Sequence, residues 1–395
     1  MIVPANKWAT EELENLEAAG LIRTLEPLDS PQGAEVRVGG EELVNFSSND
    51  YLGLAQNFEL VRAATDAMER FGFGAGASRL VTGDTRAHAE LETALAQLFD
   101  SPALIFNTGY AANAGILSTL ARRGDAIFSD ALNHASLIDG ARLSRASIEV
   151  YPHRDANALD RLLAGSKARR KIVCTDAVFS MDGDVAPISA LLAVCERNGA
   201  ALLVDEAHAF GVFGPAGRGV CEMVGVASKV DVRMFTLGKA AGSFGAFAVA
   251  SEPVIGWLRQ RARSMVYSTA LPPGVLAASR AAVALLAAAN DRRAQLWRLT
   301  ERLAAGLRAL GLEAQDHSPI FPIVLGAPER ALEVSAELRA RGLLVKAIRP
   351  PTVPEGTSRL RVALSAAHTD EHLARLLAAL REIGVGPGDG VPASD

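Results

Sequence analysis

The chain is predicted to be an α/β protein: a large domain built on a mostly parallel sheet, followed by a smaller α+β domain. Three observations predict this. Between Asn49 and Leu271 short apolar runs alternate with helical patterns, the rhythm of parallel strands joined by crossover helices. Near Val275 that rhythm gives way to an alanine-rich helical stretch and then to a second, shorter alternation. With 395 residues, 49% of them hydrophobic, the chain can bury more core than one domain usually holds.

Taken in order, residues 7–25 carry an amphipathic helical pattern, and residues 35–45 read as a hairpin with Gly39-Gly40 at its turn. In the large domain, strands are expected over 103–106, 126–129, 148–151, 172–176, 201–205 and 232–237. Helices are expected over 111–121, 136–144, 158–164 and 188–198. The stretch 275–310 reads as a long helical region. After it come strands over 321–325, 343–348 and 360–364, with helices over 332–341 and 371–383. The division this implies is an N-terminal segment, 1–48, packing with the small domain; a large domain, 49–274; a small domain, 275–384; and a tail, 385–395, that lacks apolar periodicity and reads as disordered.

A net charge of −5 with no long basic block gives no reason to expect a nucleic-acid or anionic-membrane partner. Cys174, Cys195 and Cys221 are widely spaced and form no CxxC pair, which argues against a disulfide framework or zinc site and for a reducing compartment. The start carries Lys7, Glu11, Glu12 and Glu14 in place of a basic segment leading into an apolar core, and 275–290 is shorter than a membrane span. A cytoplasmic enzyme acting on small molecules, with no metal, is the expectation.

Chemistry concentrates in a few segments. Lys239 stands between the apolar run 232–237 and a series of small residues ending at Gly245, with Asp205-Glu-Ala-His208 upstream. A lysine forms an imine only through its neutral amine, and small neighbours let a flat cofactor approach the backbone. This is the pattern of an enzyme that anchors pyridoxal 5'-phosphate (PLP). Asp205 ends an apolar strand and suits the protonated pyridine nitrogen; a helix cap is the competing role. His208, three residues on, can reach the same ring or be a core histidine. Asn107-Thr-Gly109-Tyr110 opens a helix after a strand, where backbone donors suit a phosphate. His134 begins the next helix, as a stacking residue or a cap. Ser180 follows another strand and Thr236 precedes Lys239; a turn and simple β propensity are their ordinary explanations. Arg359 and Arg361 share one strand face, where a guanidinium can fork onto a substrate carboxylate or merely face solvent. Gly72-Phe-Gly74-Ala-Gly-Ala77 matches a dinucleotide fingerprint and allows a nicotinamide-dependent oxidoreductase as an alternative, but it follows a helical pattern where that fingerprint needs a strand. His368 and His372 share helical spacing, yet the intervening residues read as a solvated helix start.

In order along the chain, Asn45-Phe-Ser-Ser-Asn-Asp-Tyr-Leu-Gly53, Asn133-His-Ala-Ser, Phe179-Ser-Met-Asp-Gly-Asp184, Asp205-Glu-Ala-His208, Thr236-Leu-Gly-Lys-Ala240, Tyr267-Ser-Thr269 and Ser358-Arg-Leu-Arg361 resemble the α-oxoamine synthases. These are PLP enzymes of fold type I that condense an amino acid with an acyl thioester. The resemblance implies a seven-stranded large-domain sheet and a homodimer with sites at the subunit interface. It implies Lys239 as anchor and catalytic base, Asp205 at the ring nitrogen, and His134 stacked on the ring and meeting substrate. Gly109 and Tyr110 would lie on the phosphate side, Ser180, His208 and Thr236 would contact the cofactor, and Ser268 and Thr269 would reach the neighbour's phosphate. Arg23, Thr352 and Arg361 would bind substrate, Arg361 through the amino-acid carboxylate. Residues 347–356, with Arg349-Pro-Pro, resemble members that join L-alanine to a pimeloyl thioester, on coenzyme A or acyl carrier protein, in biotin biosynthesis; glycine-using members are the alternative. Ala209-Phe210, where relatives commonly have Ser/Thr-Gly, is expected to reshape the pocket, and Ala75 and Ala77 stand in a segment often richer in glycine.

Overall fold

The computed structural model describes residues 4–387 and 389. They form two compact units, one of residues 49–180 and 184–295 and one of residues 4–48, 181–183, 296–387 and 389. The boundary expected at 274 therefore lies near 295. Helix Pro273–Ala287 packs on helices Phe58–Phe71 and Arg86–Phe99 of the large unit, burying Leu276, Ala282, Val283 and Leu286. The helical stretch is broken at Ala288-Ala289, after which a second helix, Asn290–Ala309, begins. No single helix among the described residues is long and apolar enough to cross a membrane.

The large unit is organised by a seven-stranded sheet in the order Ala103–Phe106, Ala246–Ala250, Val232–Thr236, Ala201–Asp205, Lys171–Asp176, Ala126–Asp130, Ser147–Tyr151. The last five are mutually parallel. Ala246–Ala250, a strand not expected from the sequence, runs antiparallel to both of its neighbours. Only residues 237–245 separate it from Val232–Thr236, too few for a parallel crossover, so the chain turns back. Its apolar, alanine-rich sequence shows no alternation because both faces are covered. Phe99, Phe210, Phe235 and Phe247 form a buried aromatic cluster with ring centroids 4.6–5.8 Å apart.

In the smaller unit, Glu35–Val38 and Glu41–Asn45 form the expected hairpin. Gly39 and Gly40 have φ of 58° and 84°, the left-handed pair that a two-residue turn matching strand twist requires. The expected strand 343–348 divides: Leu343–Leu344 runs parallel to the hairpin, while Ala347–Ile348 joins Ser358–Ala363 and Ile320–Gly326 in an antiparallel sheet. The N-terminal helix is Ala5–Ala18, shorter than the pattern suggested and with no buried residue. It stops at Gly20, whose φ of 65° lets the N–H groups of Gly20 and Leu21 bond back to Glu17 and Leu16. The tail expected to be disordered begins ordered: Val385 is buried and its N–H donates to the Leu380 carbonyl at 3.0 Å. Residues 388 and 390–395 lie outside the described residues.

Candidate active site

Strands Ala126–Asp130, Lys171–Asp176 and Ala201–Asp205 are neighbours and each ends in an aspartate. Parallel pairing brings these ends to one edge, where ligands of open α/β sheets bind. All three carboxylates are buried, so each needs donors. Asp205 Oδ2 accepts from Asn113 Nδ2 at 2.7 Å and Oδ1 from the Ala207 N–H at 2.8 Å. Asp176 pairs directly with Asp205 in the register and accepts from the His134 N–H at 2.7 Å. Burial first, and the facing Asp205 carboxylate second, push the Asp176 carboxyl well above its ordinary range. A positive charge at this edge lowers the energy of both carboxylates.

Asn113, on helix Gly109–Leu120, also donates to Ser136 Oγ at 2.9 Å, and its Oδ1 is buried without a hydrogen-bond partner in the protein. An acceptor left open beside Asp205 fits a group supplied from outside. His134 caps helix Ala135–Ser144, accepting from the Ser136 N–H at 3.2 Å. Capping and site roles thus coincide: the backbone bond to Asp176 and the cap fix the imidazole at the sheet edge. Burial first lowers the His134 pKa, with Lys239 lowering it further and Asp205 opposing, and Lys239 also acts on Asp176. Lys239 thus acts electrostatically on both His134 and Asp176.

Lys239 lies half-buried in the loop after Val232–Thr236. Thr236 Oγ1 donates to the Gly245 carbonyl at 3.1 Å and accepts from the Gly238 N–H at 3.2 Å, so this hydroxyl staples the loop. Not all the small residues leave room for a ligand. Gly242 has φ of 63°, and a Cβ there would lie 2.4 Å from the Leu54 carbonyl carbon; it is glycine because the backbone of Leu54 and Ala55 passes against it. Gly109 differs: a Cβ there would meet only ordinary contacts, 3.8 Å from Met234 Cε and 4.0 Å from Thr236 Cβ. Packing does not demand glycine at that helix start, which a phosphate would.

His208 is buried, with Nδ1 2.7 Å from Tyr51 Oη, and Tyr51 Oη donates to Asn49 Oδ1 at 3.2 Å. Tyr110 is half-exposed and donates to Asp139. Ser180 is half-buried, and Ser268 and Thr269 lie on a segment joined to Ser78 by a backbone bridge and to Asn107, whose Nδ2 donates to the Thr269 carbonyl at 2.7 Å. Phe210 is buried, with its ring in the aromatic cluster. Asp176, Asn113 and Tyr51 were not singled out in the sequence. The signal that could have found Asp176 is its place as last residue of a strand next to Ala201–Asp205.

In the smaller unit, Arg23 Nη2 donates to Thr352 Oγ1 at 3.1 Å, joining two of the expected substrate residues. They line a cavity of about 520 Å³ together with Glu26, Arg339, Lys346 and Arg349. Hydrogen bonds from Lys346 and Arg339 hold the Glu26 carboxyl below its ordinary range, and Arg349 donates to the Gly20 and Ile22 carbonyls. Arg359 pairs with Asp182, and Arg359 and Arg361 are both buried in strand Ser358–Ala363. His368 stacks on Phe46 with ring centroids 4.6 Å apart, and His372 completes the capping box of helix Asp370–Ile383.

The model of the family "Aminotransferase class I and II" matches residues 41–380. A relative from Anaeromyxobacter dehalogenans, 8-amino-7-oxononanoate synthase, is 54% identical over 378 residues, 95% of each chain. Among solved structures, Sphingomonas wittichii serine palmitoyltransferase superposes with a TM-score of 0.91 at 36% identity, over 96% of this chain and 98% of that one. A high-resolution structure of a similar palmitoyltransferase with PLP gives 0.90 at 33%, over the same shares. This chain belongs to the class I and II aminotransferase family and, within it, to the α-oxoamine synthases.

Proposed function

We propose that this chain is a PLP-dependent acyltransferase that condenses L-alanine with a pimeloyl thioester to give 8-amino-7-oxononanoate, carbon dioxide and free thiol in biotin biosynthesis. The observation that carries this reading is the 54% identity, over 95% of both chains, to a relative of that name. The sheet edge supports it chemically: Asp205, Asn113, His134 and Lys239 meet where a cationic heterocycle relieves the repulsion between Asp176 and Asp205.

When bound, PLP supplies an electron sink for the charge that develops at the amino acid's Cα. Lys239 Nζ would hold the cofactor covalently, and the same amine would move the proton at the Cα of alanine, taking it before the condensation and returning one after loss of carbon dioxide. Asp205, held by Asn113 and the Ala207 N–H, keeps the proton on the ring nitrogen. His134 would stack on the cofactor and orient substrate, and Ser180, Thr236 and His208, the last paired with Tyr51, would contact the cofactor. Gly109 and Tyr110 present the helix start to the phosphate. Arg361 clamps the alanine carboxylate by a forked pair of bonds, and Arg23 with Thr352 receives the acyl donor, on coenzyme A or acyl carrier protein.

In this reading the chain works in the cytoplasm as a homodimer, with Ser268 and Thr269 reaching across to the other subunit's phosphate. Exposure of Phe73, Val81 and Tyr267, at 77%, 73% and 72%, on segments adjoining the Ser78–Thr269 bridge supports an apolar contact there.

The test is a substrate panel on the purified chain. Thiol release is followed for alanine, glycine and serine against pimeloyl-, acetyl-, succinyl- and palmitoyl-CoA. Alanine with pimeloyl-CoA is expected to exceed every other pair by at least about a hundredfold in kcat/KM; faster release from glycine or serine overturns the assignment. Lys239→Ala is expected to abolish both turnover and the visible absorbance of the bound cofactor.

A further inference from the structure

His153 lies outside every role assigned so far. It follows strand Ser147–Tyr151, which pairs in parallel with Ala126–Asp130. Its Nδ1 is 2.8 Å from Asp130 Oδ1 and its Nε2 is 2.6 Å from Asp184 Oδ2. A neutral imidazole has one N–H and cannot donate to both, whereas the imidazolium can. Burial pulls its pKa down, but the bonds to Asp130 and Asp184 outweigh this and raise it to about 9. The ring also stands edge-on to Phe179, 4.4 Å between centroids at 85°.

Both carboxylates belong to loops that carry candidate site residues. Asp130 ends its strand and accepts from the Leu132 N–H at 2.9 Å, bracing the short run to His134. Asp184 closes the turn holding Ser180: its carbonyl accepts from the Phe179 N–H at 3.0 Å, and its side chain accepts from Arg154 Nη1 at 3.1 Å. Arg154 has φ of 60°, a strained conformation for a residue with a Cβ. That conformation aims its N–H at Asp130 Oδ2, 2.8 Å away. The charged groups facing the imidazole are thus Asp130, Asp184 and Arg154, with the buried Tyr151 phenol near Asp130.

We infer that His153 is a positioning residue, a cationic clamp that ties the His134 loop to the Ser180 loop and so sets the spacing of two groups meant to contact the same cofactor. The cofactor part of this inference rests on the proposed function; the tie between the loops does not. The clamp reaches the two loops through Asp130 and Asp184.

The experiment uses the full chain with His153→Gln, Ser180→Ala, the double variant and Asp184→Asn. In the cofactor-free protein, His153→Gln is expected to speed amide hydrogen exchange about tenfold in residues 131–134 and 178–185 while the central strands stay protected. PLP affinity, titrated by absorbance, is expected to fall about tenfold in His153→Gln, and by less than about twofold when the same change is made in the Ser180→Ala background. Unchanged exchange in both loops overturns the clamp, and an undiminished loss in the Ser180→Ala background overturns its action through Ser180. If His153→Gln does not fold, Asp184→Asn, which keeps the shape and removes the charge, carries the same exchange test. Failure of every form to bind PLP, with loop exchange altered as expected, would count against the proposed function and leave the clamp standing.

Discussion

The large unit's sheet has two contrasting regions. In its interior, Phe99, Phe210, Phe235 and Phe247 are buried against one another. At the carboxyl edge, Asp130, Asp176 and Asp205 are also buried, but each depends on donors from a different loop or helix. The interior gains free energy by excluding water, at about 25 cal/mol per Å². The edge spends part of that on desolvated charge, which stability alone would not select. A region where buried carboxylates face one another is where a cationic ligand is stabilised, and the contrast divides residues that hold the fold from residues that hold the chemistry.

The sharpest way to break this contrast is to truncate one member of each region. Phe247→Ala, in the aromatic cluster, is expected to cost about 3–5 kcal/mol of stability by leaving a cavity, measured by denaturant unfolding, with KM for alanine unchanged in the protein that remains folded. Asp205→Asn should do the reverse. Its turnover is expected to fall at least about a hundredfold, while the cofactor-free protein unfolds at the same or higher denaturant, because Asp176 no longer faces a like charge. If Asp205→Asn destabilises the cofactor-free protein as much as Phe247→Ala does, the edge is structural and the division fails.

The smallest expected effect is one of pH. The His153 pKa is raised from 6.5 to about 9, so its clamp stabilises the folded state in full below pH 6.5, and that contribution is lost as pH rises toward 9. Urea midpoints of the cofactor-free protein should decline across this window, and His153→Gln should flatten the decline. An equal slope in both proteins assigns the effect to other groups.

Much of the fold was legible in order along the chain. Apolar runs such as Ala201–Asp205 and helical periods such as Ile188–Asn198 lie where local pattern placed them. Ala246–Ala250 escaped because a strand covered on both faces has no alternation to read. The stretch 275–310 hid a break because alanine-rich sequence has no strong face to mark where one helix ends. In the site, Lys239 and Asp205 stood out by residue type and position. Gly242, one of the small residues read as giving a flat cofactor room, is crowded by the backbone of Leu54 and Ala55, and an open glycine and a crowded one look the same in sequence.

By itself, the sequence determined most of the succession of strands and helices, the lysine loop and Asp205 at the end of its strand, because these follow from hydrophobic period and covalent neighbourhood. Tertiary structure alone decided which aspartates face each other, that Asn113 reaches Asp205 across 92 residues, and that one histidine bridges Asp130 and Asp184. The physical reason is range. A carboxylate's partner is chosen by which strands pair and which loops leave the same edge, and no local pattern encodes that pairing.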